Sequence, residues 1–113
     1  MRDITLVTNQ DYGLREIEQE LRKFPNGKFL RPEETLKVIS GHDSVTVEFK
    51  IPTEFFGVQI IIDKANNDEM KESYEPEIMA KFKTTISQPQ FFIIRFHNIE
   101  YAKILLRYLV VPE

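Results

Sequence analysis

His42 and His97 are the only imidazoles in this 113-residue chain, and cysteine is absent. A metal centre needs several convergent imidazole, thiolate or carboxylate ligands, often two of them three or four residues apart on one helix. Neither histidine has a second ligand so placed on a common helix. His42 lies in Ser40-Gly41-His42-Asp43, a hairpin-turn sequence, and His97 precedes Asn98 where a strand gives way to a helix. Turns and caps consume polar side chains for their own backbone, so no metal site and no cofactor is expected. Two imidazoles and a lysine cleave RNA only if the imidazoles meet with near-neutral pKa values. Nothing in their spacing brings them together.

Other catalytic constellations fail on residue type or phase. Asp11, Glu16, Glu18 and Glu20 form a run of carboxylates, but positions 16, 18 and 20 point around a helix and Arg15, Arg22 and Lys23 intermingle with them, the pattern of a solvated face. There is no Gly-x-Ser-x-Gly elbow, no Walker loop and no dinucleotide fingerprint. Gly13, Gly27, Gly41 and Gly57 stand singly and read as turn residues. The expected protein is not an enzyme.

Two surfaces are better candidates. With Ile78, Phe82 and Ile86 inward on a strand, Lys81, Lys83 and Thr85 share the outer face, and Phe91, Ile93 and Arg95 lie beside them on a neighbouring strand. Basic groups interleaved with an aromatic ring grip phosphates and stack a base, so Lys81, Lys83, Phe91 and Arg95 are the expected RNA-binding set. The alternative is the acidic segment Asp68, Glu69, Glu72, Glu75 and Glu77, countered only by Lys71, which would present charge to a basic protein partner, as in an inhibitor of immunity or anti-defence type. Phe55-Phe56 before Gly57 is either an exposed anchor or a loop tucked into the core.

The elements that position these groups follow from periodicity. Ile4 and Leu6 mark a strand at 3–8. Leu14, Ile17, Leu21 and Phe24 recur at helical spacing over 11–24, with Asn9 and Asp11 as cap candidates and Pro25-Asn26-Gly27 as the stop. Leu36 to Ile39 and the alternation of Val45, Val47, Phe49 and Ile51 form the clearest hairpin. Val58 to Asp63 reads as a central strand, 65–77 as a polar segment with a short helical turn, 78–86 as a strand, Gln88-Pro89-Gln90 as a turn and 91–96 as a strand. Asn98 caps a helix to about 108, and Val110-Val111 either extends it or forms a final strand.

The composition fits one α+β domain over 1–113. Its 42% hydrophobic content supplies a core, while a net charge of −3 with no basic excess argues against indiscriminate nucleic-acid binding. No apolar run reaches the roughly 18–20 residues that span a bilayer, and Met1-Arg2-Asp3-Ile4 opens no signal peptide. A cytoplasmic location without membrane contact is expected, and the oligomeric state is left open.

The element order, strand at 3–8, helix at 11–24, antiparallel strands from 36 to 96, helix at 98–108 and a last strand at 109–111, resembles the PUA-like pseudobarrel. The resemblance covers most of the chain and rests on element order; no family motif matches residue by residue. It implies a mostly antiparallel sheet or small pseudobarrel of about six strands with two helices, and a regulatory RNA-binding module like the small stand-alone PrgU-like regulators of bacterial conjugative plasmids. The Gly-x-Lys-x-x-Glu pattern of the related ASCH group is absent, so that group's pocket and hydrolase chemistry are not implied.

Overall fold

A computed structural model describes residues 2–9, 12–25, 30–52, 57–73 and 89–109. They form an α+β fold in which one antiparallel sheet, built of β1 (Arg2–Asn9), β2 (Thr35–Ser40), β3 (Ser44–Lys50), β4 (Val58–Lys64) and β5 (Pro89–Phe96), is joined by α1 (Leu14–Arg22), α2 (Asn67–Ser73) and α3 (Ile99–Leu109). The strand order is β1-β5-β4-β3-β2. Three consecutive strands make a meander, and β5 returns between β4 and the first strand. Among the described residues the sheet is open, with β1 and β2 at its edges. The strand expected at 78–86 lies outside the described residues, as do Phe55, Phe56, Val110 and Val111.

Alternation decides which side of the sheet is buried. Val45, Val47 and Phe49 pair with Ile62, Ile60 and Val58 and share one face with Phe92, Ile94 and Phe96. Ile17 and Leu21 of α1 and Ala102 and Leu105 of α3 pack on that same face, and all four are fully buried. Phe24 meets Phe49 edge-on at 6.4 Å, and Phe49 meets Tyr101 at 4.9 Å, so aromatic rings tie the helical layer to β3. The Tyr108 hydroxyl donates to the Glu20 carbonyl at 2.7 Å, and burial pushes its pKa up.

Local chemistry shifts several boundaries. α1 begins at Leu14, three residues after the expected start, because β1 continues to Asn9 in register with Pro89. Neither Asn9 nor Asp11 is the cap: Gly13 holds that place, and its N–H donates to the Glu16 carboxylate at 3.0 Å. β5 begins at Pro89, expected in a turn; proline is tolerated at the first residue of a strand, where its missing donor costs least. The polar segment after β4 yields a third helix, since the Asn66 carboxamide oxygen accepts from the N–H groups of Asp68 and Glu69 and starts α2. α3 follows its expectation closely: the Asn98 oxygen accepts from Glu100 and Tyr101, and the helix runs to Leu109. In the hairpin turn, a Cβ on Gly41 would fall 2.5 Å from the Ser44 hydroxyl, so a larger residue there would have to displace the Ser44 side chain.

Candidate binding surfaces

The face of the sheet opposite α1 and α3 is the first candidate. Register places Asp3, Thr5 and Val7 of β1, Phe91, Ile93 and Arg95 of β5, and Gln59, Ile61 and Asp63 of β4 on this face. Ser44, Thr46, Glu48 and Lys50 of β3 and Thr35, Lys37 and Ile39 of β2 complete it. Apart from Pro89 and Phe91, these residues all keep solvent exposure, and Ile39 is 41% exposed. Its charges balance, with Lys37, Lys50 and Arg95 against Asp3, Glu48 and Asp63. The Arg95 guanidinium Nε lies 3.4 Å from the Asp63 carboxylate, and Glu48 accepts from Gln59 at 3.2 Å.

This geometry distributes the expected RNA-binding set unevenly. Arg95 faces solvent on the side opposite α1 and α3 with a side chain 51% exposed. Phe91 shares that side, as its odd position in β5 dictates, but its ring is fully buried and cannot take a base on its face as it stands. Lys81 and Lys83 lie outside the described residues.

The acidic segment is half described. Asp68, Glu69 and Glu72 are exposed on α2, while Glu75 and Glu77 lie outside the described residues. α2 is anchored to the sheet through Asn67, whose carboxamide oxygen accepts both the Phe91 N–H at 3.2 Å and the Lys64 ammonium at 2.7 Å. The same ammonium donates to the Ala65 carbonyl at 2.7 Å and lies 5.3 Å from the centre of the Phe92 ring. Burial lowers the Lys64 pKa. Sequence reasoning missed this anchor; the adjacent asparagines Asn66 and Asn67 after a strand were its only signal.

The histidines end apart. His42 sits in the β2–β3 turn, nearly fully exposed, at the end of the sheet where the Asp43 carbonyl accepts from the Lys64 N–H. His97 follows Phe96, which pairs with Ile60 near the other end of β4. About five residues of strand separate the two levels, roughly 16 Å at ~3.3 Å per residue, so the imidazoles share no site. Among the described residues, no three imidazole or carboxylate groups gather as metal ligands. No helix among them is long and apolar enough to cross a membrane.

Two concavities flank β2. A cleft of about 410 Å³ opens among Glu33, Thr35, Glu48, Lys50, Ile51, Pro52 and Gly57. A groove of about 210 Å³ runs between α1 and β2, lined by Leu21, Arg22, Phe24, Leu36 and Val38. The Arg22 guanidinium bonds the Glu18 carboxylate at 2.9 Å and the Ser40 hydroxyl at 3.0 Å, and Ser40 donates to the same carboxylate. These bonds hold the Glu18 pKa below the ordinary carboxylate range, the Ser40 bond contributing most.

The chain matches no protein-family profile, and no curated protein or solved structure resembles it at a significant level.

Proposed function

We propose that this chain is a non-enzymatic binding protein that recognises another protein across the face of its sheet opposite α1 and α3. The observation that carries the reading is the make-up of that face: Ile39, Ile61 and Ile93 retain exposure among three basic and three acidic residues. One exposed and two half-buried aliphatic groups among charges of both signs suit a protein interface, with a water-excluding centre and a polar rim. A phosphate-gripping surface needs a basic excess, and the described part of this face has none. The exposed acids of α2 would steer a basic partner toward the same end of the sheet as Lys64. This is the behaviour of a regulatory inhibitor of immunity or anti-defence type.

Arg95 supports a second reading. Its exposed side chain would contact RNA together with Lys81 and Lys83 if those lysines share its face; β5 already has β1 and β4 as neighbours, so they would not come from a strand paired beside it. One experiment separates the readings. Tagged protein is used to capture partners from a bacterial lysate before and after nuclease treatment, alongside Ile61→Lys and a Lys81→Glu/Lys83→Glu variant. The protein-binding reading expects a discrete partner that survives nuclease and is lost with Ile61→Lys. Capture that disappears with nuclease, falls with salt and is lost with the lysine reversals would replace it with the RNA reading.

A further inference from the structure

β2 is a six-residue edge strand whose side chains read exposed, half-buried, exposed, half-buried, exposed, exposed from Thr35 to Ser40. Among the described residues only β3 pairs with it. Alternate N–H and C=O groups of β2 therefore point away from the sheet, and an edge of this kind is a template for another strand. Leu36 and Val38, both half-buried, turn toward α1 and line the groove, with the buried Leu21 and Phe24 beneath it. Lys37 turns to the opposite face, is exposed, and makes no ion pair among the described residues.

We infer that the β2 edge and this groove together bind an extended peptide segment of alternating apolar and acidic residues, by strand addition. Main-chain hydrogen bonds to β2 would supply affinity and alternate side chains specificity, as in other strand-addition sites. Period-two alternation sends every second side chain of the added strand into the groove. At about 210 Å³ the groove exceeds the ~150 Å³ apolar cavity that accommodates a benzene, so it has room for an aliphatic side chain or two. Arg22 closes one end, held in place by Glu18 and Ser40. The intervening side chains of the peptide lie on the Lys37 face, where a carboxylate gains a cross-strand partner and an ammonium meets repulsion. The site shares Lys37 with the face proposed above for protein recognition, whereas Ile61, two strands away on β4, belongs to that face alone.

The test uses the full chain and fluorescein-labelled peptides of alternating valine and glutamate, alternating valine and lysine, and a scrambled valine–glutamate order. Fluorescence anisotropy should show saturable binding of the valine–glutamate peptide, about fivefold tighter than the valine–lysine peptide, the size of one cross-strand charge pair. Lys37→Glu, an exposed change that sets a carboxylate opposite Glu48, should reverse that preference in protein whose circular dichroism matches the parent, and Val38→Ala should weaken both. Bound peptide should slow amide exchange across 35–40. The inference is overturned if neither alternating peptide binds saturably, or if the two bind equally and Lys37→Glu changes nothing. Protection elsewhere on the sheet would also overturn it. So would a concentration-dependent dimer in sedimentation that peptide does not dissociate, which would assign the edge to a second copy of this chain.

Discussion

Replacing Phe91 with alanine discriminates between a structural ring and a base-stacking one. Phe91 is fully buried, yet lies on the opposite side of the sheet from the main core formed by Phe92, Ile94 and Phe96. Deleting a buried phenylalanine side chain costs about 3–5 kcal/mol. A chain of this length is stable by roughly 6–17 kcal/mol at ~0.05–0.15 kcal/mol per residue, so the loss is a large share of the whole. With a urea dependence of about 2 kcal/mol per molar, the unfolding midpoint should fall by about 2 M. Phe91→Leu, which keeps most of the volume, should recover most of that loss. A ring that stacked a base would behave otherwise: alanine and leucine would both lower RNA affinity by about 1–3 kcal/mol, with stability shifts within about 0.5 kcal/mol. The assay is urea unfolding followed by circular dichroism, with anisotropy titration of a labelled single-stranded RNA on the same preparations. A Phe91→Ala midpoint within about 0.3 M of the parent, accompanied by weaker RNA binding, would refute the structural assignment.

Tyr101→Phe removes the hydroxyl that donates at 2.9 Å to Glu34, a carboxylate only 9% exposed, and should cost about 1–3 kcal/mol in urea unfolding. Asn67→Ala takes away the oxygen shared by the Phe91 N–H and Lys64, so exchange of the Phe91 amide should accelerate while exchange in the β2–β3 hairpin holds. Because the Glu18 pKa is lowered on folding, the unfolded chain binds more protons between the folded value and the ordinary 4.5. The corresponding stability is fully present above 4.5 and is lost as pH falls through the lower folded value; Ser40→Ala should flatten that part of a stability–pH curve.

The sequence disclosed those elements whose stabilising contacts are local. The β2–β3 hairpin shows because Val45, Val47 and Phe49 alternate with polar residues after a turn that contains Gly41. α3 shows because Asn98 caps the helix it precedes. Boundaries set by distant partners did not show: β1 runs to Asn9 only because Pro89 is its register partner, which displaces the start of α1. The candidate surfaces divide the same way. Alternation assigned Phe91 and Arg95 to one face, as found, but it reports a side and not what covers it, and Phe91 is buried. The separation of His42 and His97 depends on strand direction, and the β2 groove on where α1 crosses the sheet. Neither is encoded in any short stretch of residues.

The placement of β1 beside β5 has a consequence for the order of assembly. Their partners, from Asn9 with Pro89 to Arg2 with Phe96, lie 80 to 94 positions apart in the chain, whereas the β2-β3-β4 meander closes through neighbouring turns. Joining distant segments carries a loop-closure cost that local pairing avoids, and such contacts slow folding. During synthesis the first strand leaves the ribosome long before its partner exists and must wait, with Ile4 and Leu6 uncovered, until residues 89–96 emerge. Pulsed hydrogen exchange should accordingly find Thr5 and Leu6 protected later than Val45 and Val47.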